Sequence, residues 1–100
     1  MSNQAMEQFK LVMFTHLYHI PKGELITYGG LAKRSGQANY ARQVGRILKM
    51  LPKDTDLPWY RVVKSNFEIA FEQDSDAYNR QKVLLENEGW IIKGQKIKKS

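Results

Sequence analysis

Apolar residues recur at steps of three and four over the first twenty positions: Met6, Phe9, Met13, Leu17 and Ile20. This spacing predicts an amphipathic helix over residues 3–20, capped by Asn3 and stopped by Pro21-Lys22-Gly23. A short extended link, Glu24 to Ile26, follows. Thr27 then suits the N-cap of a second helix running to about Ser35, with Gly36 just past its end. After the turn "GQANY", Asn39 suits the cap of a third helix, Tyr40 to Leu51, stopped by Pro52. Two short helices joined by a Gly-containing turn form the pattern of a helix-turn-helix.

The polar positions of the third helix carry more information than its length. At about 100° per residue, Arg42, Arg46 and Lys49 share one face, and Val44, Ile47, Leu48 and Leu51 the opposite one. Gly45 lies on the cationic side, where it costs about 1 kcal/mol of helix stability relative to Ala. A glycine there admits a close approach to the backbone, as by a phosphate or sugar edge. A solvated face with an incidental glycine is the competing reading.

Beyond Pro52, "KDTD" reads as a polar loop. Arg61 to Lys64 and the alternating Phe67, Ile69 and Phe71 predict two strands of a hairpin. "QDSD" supplies caps for a last helix over residues 75–88, with Ala77, Tyr78, Gln81, Leu84 and Leu85 facing inward and Gly89 closing it. Trp90, Ile91 and Ile92 dock on the core. A hairpin through Lys93-Gly94 is admissible, but residues 93–100 are expected as a basic, mobile tail after a single domain, 1–92.

Composition narrows the chemistry. Sixteen Lys and Arg against ten Asp and Glu give a net charge of +6 over 100 residues. The excess clusters in the middle of the chain and at its end, which favours a polyanionic partner, nucleic acid first. There is no cysteine, so disulfides, cysteine zinc sites and thiol nucleophiles are excluded. His16 and His19 lie at the end of the first helix without a third ligand nearby and read as structural; no metal or cofactor is implied. No signal peptide or membrane-length apolar run is evident, and the expected compartment is the cytoplasm, or the nucleoid when bound to DNA. No dimerisation segment is evident either, so a monomer is expected.

Four segments resemble the DNA-binding domain of the O6-alkylguanine-DNA alkyltransferases, over nearly the whole chain. "IPKGELITYGGLAKRSG" is similar to the family's "PxGxxxxYxxLA", "ARQVGRIL" to "ARxVGxxx", "PWYRVV" to the active-site "PCHRVV", and "LLENEG" to "LLxxEG". The resemblance implies a mainly α fold with a small β-hairpin, a winged-helix-like helix-turn-helix domain. The departure from the pattern is as telling. The acceptor cysteine of that family falls on Trp59, and the histidine after it on Tyr60. Dealkylation by that chemistry needs an activated thiolate, which an indole cannot supply. The chain therefore resembles the non-enzymatic alkyltransferase-like proteins, from whose "PWHRV" Tyr60 also departs.

Carried residue by residue, the resemblance implies a minor-groove recognition helix and nucleotide flipping. Arg42 matches the finger that fills the gap left by an extruded base, and Tyr28 the tyrosine that presses on the flipped nucleotide's phosphate. Gly29, Gln43, Gly45, Arg46 and Lys49 complete the implied DNA face. Tyr28, Leu48, Trp59, Tyr60, Arg61 and Val62 border the implied lesion pocket. Read from its chemistry alone, Arg61 suits a loop anchor that bonds backbone carbonyls better than a DNA contact. The family's Glu falls on Glu88, for which a structural role is expected. Residues 65–78 contain no Lys or Arg; Glu68, Glu72, Asp74 and Asp76 make that stretch acidic, unlike relatives that place a basic residue beside the lesion there. The implied partners are duplex DNA with O6-alkylguanine and the damage-recognition proteins of nucleotide excision repair. The alternative is a helix-turn-helix regulator that reads a sequence, commonly as a dimer on a palindromic site.

Overall fold

The computed structural model describes residues 4–99. Helix α1 spans Gln4–Tyr18, β1 Ile26–Thr27, α2 Tyr28–Arg34 and α3 Ala41–Lys49. A 3-10 turn over Trp59–Arg61 leads into β2, Val62–Val63. Helix α4 covers Asp76–Asn87, and β3, Trp90–Lys93, and β4, Lys96–Lys99, close the chain. The cap expected at Asn3 lies outside the described residues.

The three-and-four stripe of α1 is buried as its spacing demands: Phe9, Met13 and Leu17 face inward, and Ile20 follows them. Each such side chain stabilises the fold by about 1.5–3 kcal/mol when fully buried. They pack with Leu31 and Ala32 of α2, Val44 of α3 and Val62. A second cluster gathers Val63, Ile69, Tyr78, Leu85, Ile92 and Ile97. Val62 and Val63 are thus neighbours in sequence but belong to different cores. Successive side chains of a strand point to opposite faces, so β2 forms the wall between the two clusters. It is held by parallel pairing with β1, Ile26 against Val62 and Thr27 against Val63. A parallel pair needs a long crossover, and the helix-turn-helix lies within it.

The hairpin is not where the alternation placed it. Residues 61–71 do not form two paired strands. Residues 59–61 coil into the 3-10 turn, and Phe67 (φ +60°) turns the chain so that the Lys64 N–H donates to the Glu68 carbonyl. The antiparallel hairpin is β3–β4, with Ile92 opposite Ile97 and Lys93 opposite Lys96. Residues 93–99, expected within a mobile tail, are the end of its first strand, its turn and its second strand. Burial of Ile97, a full pairing register and Gly94 (φ +57°) at the turn explain the difference. Gln95 at its tip donates to the carbonyls of Ile69 (3.2 Å) and Phe71 (2.7 Å), and the Tyr78 hydroxyl donates to the Gly94 carbonyl. The hairpin therefore fixes the segment that the sequence pattern had paired with residues 61–64.

Candidate nucleic-acid interface

Helix α2 begins as the sequence requires: the Thr27 hydroxyl accepts a hydrogen bond from the Gly30 N–H at 2.9 Å. A Cβ on Gly30 would stand 2.9 Å from that hydroxyl, so the cap needs glycine at this position. The helix ends in a Schellman pattern, Gln37 N–H to Ala32 carbonyl and Gly36 N–H to Lys33 carbonyl, with Gly36 at φ +96°. Helix α3 then starts at Ala41, after Tyr40 in the N-cap position, whose side chain does not cap it; the expected cap, Asn39, lies one residue before Tyr40.

This turn presents one side of α3 outward. Val44 is fully buried while Arg42, Arg46 and Lys49 are exposed. Among the described residues, no carboxylate lies within 4.0 Å of these three cations. With Tyr28, Gly45 and Lys64 they line a groove of about 530 Å³. A Cβ on Gly45 would meet the Tyr28 ring at 3.7 Å, so the glycine sits directly under the edge of that ring. Burial pushes the Tyr28 phenol's pKa up, which keeps its hydroxyl protonated and able to donate to an anion. Gly29, in the first turn of α2, faces open space. Gln43, expected on the DNA face, is half-buried, with its amide oxygen enclosed.

Trp59 opens the 3-10 turn, after the buried Pro58. Its indole meets Tyr60 and Phe71 edge to face, with centroids 6.0 and 6.3 Å apart. The guanidinium of Arg80, from α4, lies 5.3 Å from the indole centroid. Leu48, Trp59, Phe71 and Arg80 share the lining of a small cavity of about 70 Å³. Trp59 and Arg80 also line an open groove of about 700 Å³ on the side of Leu57, Tyr60, Val83 and Leu84.

The residues after Trp59 hold the loop rather than border the small cavity. Val62 is in the core. Arg61 forms a buried ion pair with Glu88, adding Nε bonds of 3.0 and 3.2 Å, and donates to the Ile20 carbonyl at 2.6 Å. The Tyr60 hydroxyl donates to Glu88 at 3.0 Å, and so does the Gly23 N–H. Gln81, buried on α4, donates to the carbonyls of Tyr60 and Val62. Burial alone would raise the Glu88 carboxyl's pKa, but hydrogen bonds from Arg61, Gly23 and Tyr60 outweigh it and hold it below the usual carboxylate range. Burial, then the hydrogen bond to Glu88, pushes the Tyr60 phenol's pKa up.

Of the residues predicted for a lesion pocket, the structure thus brings Leu48 and Trp59 together. Tyr28 lies in the α3 groove, Tyr60 on the far side of Trp59, and Arg61 and Val62 in the scaffold. Sequence reasoning missed Arg80, Phe71 and Lys64. Arg80 is spaced one helical turn from Asp76, with which it pairs at 3.2 Å, and that local partner hid its reach to Trp59.

The profile of the 6-O-methylguanine DNA methyltransferase family, DNA-binding domain, matches residues 8–90. The chain belongs to that family. Within it, the chain is 45% identical over 85 residues to a protein named DNA base-flipping protein from Vibrio parahaemolyticus, covering 84% of this chain and 82% of the relative. It is 39% identical over 84 residues to alkyltransferase-like protein 1 of Schizosaccharomyces pombe, covering 84% and 78%. The fold superimposes on the crystal structure of the S. pombe protein in complex with damaged DNA containing O6-carboxymethylguanine, with a TM-score of 0.83 and 36% identity over 95% of this chain and 91% of that one. The four-helix arrangement with a small hairpin is the fold of the family's DNA-binding domain.

Proposed function

We propose that this chain senses O6-alkylguanine in duplex DNA and flips the damaged nucleotide without repairing it. Helix α3 enters the minor groove, Arg42 fills the gap in the duplex, and Tyr28 donates to the flipped nucleotide's phosphate. The extruded base is received between Leu48 and Trp59. The observation that carries this reading is the row of cations beside Tyr28 and Gly45, without a carboxylate partner among the described residues, next to a Cys-free cavity walled by Trp59.

The energetics support it. Extrusion costs a few kcal/mol, least for a damaged pair. Unpaired cations contribute a salt-dependent phosphate term, and an aromatic wall recovers roughly 1–3 kcal/mol per stacked base. The cavity beside Trp59 is small, about 70 Å³, so its walls move apart when a purine enters. The relatives named for base flipping and the relative solved with damaged DNA support the same reading. Holding the lesion without reaction hands it to the damage-recognition proteins of nucleotide excision repair and blocks access by alkyltransferases.

The test compares binding to matched duplexes carrying guanine or O6-methylguanine at one salt concentration. Mass spectrometry of protein and DNA follows the incubation. Tighter binding to the damaged duplex with both partners unchanged in mass is expected. Equal affinities, or an alkyl group on the protein, overturn the proposal.

A further inference from the structure

We infer that the β3–β4 hairpin is a second phosphate-binding element, in which Lys96 and Lys98 extend the cationic groove of α3 along the same duplex. The inference rests on the DNA-binding reading above.

The hairpin is continuous with the groove. Its tip residue Gln95 bonds the carbonyls of Ile69 and Phe71 on either side of Ala70, which itself lines the α3 groove. Lys64 lines that groove too. The Glu68 carboxylate lies between Lys64 and Lys96, 4.0 Å from one ammonium and 3.7 Å from the other. A row of cations therefore runs from Arg42 and Lys49 through Lys64 to the hairpin, interrupted by one acidic side chain.

The hairpin's own charges are poorly compensated. Residues 90–99 contain Lys93, Lys96, Lys98 and Lys99 and no acidic residue. Lys93 stands directly opposite Lys96, a cross-strand arrangement that destabilises a β-ribbon. Among the described residues, no carboxylate lies within 4.0 Å of Lys93, Lys98 or Lys99. Strand periodicity buries Ile97 and sends Lys96 and Lys98 outward together. Two ammonium groups on one rigid face, contiguous with a cationic groove, fit the anionic backbone of a duplex.

The experiment measures affinity for a duplex with one O6-methylguanine across about 50–200 mM salt. The proteins are wild type, the double variant Lys96→Gln/Lys98→Gln, and Lys10→Gln as a control on α1. Each lost phosphate contact removes about 0.9 from the slope of log affinity against log salt, so the double variant is expected to be shallower by about 2. Its affinity falls on the order of tenfold near physiological salt, equally for damaged and undamaged duplexes, because phosphate contacts carry no base information. Lys10→Gln leaves the slope unchanged. If thermal melting shows the double variant to be unfolded, Lys98→Gln alone is used instead, with a slope shallower by about 0.9 expected. Wild-type binding with an unaltered slope in the variant overturns this inference only. No duplex binding by the wild type overturns the proposed function with it.

Discussion

The guanidinium of Arg80 lies over the indole of Trp59, 5.3 Å from its centroid. Arg80 also pairs with the exposed Asp76, one helical turn back. A cation over a half-buried indole stabilises it by roughly 0.5–1 kcal/mol at exposed sites and up to about 2 when desolvated. The pair thus fixes the wall shared by the small cavity and the open groove. Arg80→Ala is expected to weaken binding to an O6-methylguanine duplex about fivefold, equivalent to about 1 kcal/mol. Asp76→Asn has a smaller effect, because its ion pair is exposed and contributes little. Fluorescence anisotropy with labelled duplexes checks both; an Arg80→Ala protein that binds as wild type removes Arg80 from the site.

Glu88 ties Gly23, Tyr60 and Arg61 to the end of α4. Glu88→Gln leaves the largely buried Arg61 guanidinium without its counter-charge, a cost below the roughly 3–5 kcal/mol of a fully buried pair. Because the folded-state pKa of Glu88 is held below its ordinary value, its contribution is complete above the unfolded carboxylate pKa, about 4.3. It is lost as pH falls through the lower, folded value. Thermal melts of wild type and Glu88→Gln should therefore differ most at neutral pH and converge as the solution is acidified below about pH 4. Curves that stay parallel down to pH 3 would show that the carboxylate is not the stabilising group.

The helices, and the caps at Thr27 and Ser75 though not the one expected at Asn39, were legible because their causes are local. The α1 stripe, Thr27, Gly36, Ser75 and Gly89 act within a turn or two of their own positions. The β elements were legible only in part: residues 61–64 contain β2 and a hairpin through Lys93-Gly94 was admissible, but the partner of β2 was not foreseen. Val62 and Val63 pair with residues more than thirty positions earlier, and Phe67 takes a left-handed turn that the alternation of apolar residues gives no sign of. In the site, motif spacing singled out Tyr28, Arg42, Gly45 and Trp59, of which the structure gathers the first three in one groove and sets Trp59 in the adjoining cavity, but the side-chain directions came from tertiary packing. Val62 falls in a core because β2 is a wall between two, and Arg61 turns to Glu88 because that carboxylate is within reach across 27 positions.

Gly45 separates stability from binding. Its Cβ would meet the Tyr28 ring at 3.7 Å, an ordinary contact, so Gly45→Ala fits without displacing backbone. The substitution recovers up to about 1 kcal/mol of helix propensity. It also places a methyl group in the groove between Arg42 and Arg46, where the proposed mode of binding brings the duplex close. A higher melting temperature together with weaker DNA binding is expected. A variant that gains stability and keeps full affinity would show that nothing approaches the backbone there.

Arg42 carries two separable contributions in the proposed mode of binding. As a cation it neutralises one phosphate, and its loss reduces the salt slope by about 0.9. As the side chain that fills the gap, it offsets part of the few kcal/mol spent on extrusion. Arg42→Ala should therefore weaken binding far more than Lys49→Ala, although the two lower the salt slope alike. Arg42→Lys keeps the charge but lacks the planar, weakly hydrated guanidinium that stacks in a duplex, and should recover the slope without the affinity. A 2-aminopurine placed at or beside the flipped position reports extrusion directly. Its fluorescence should rise with wild type and stay low with Arg42→Ala even at saturating protein; equal rises would leave Arg42 as a phosphate contact alone.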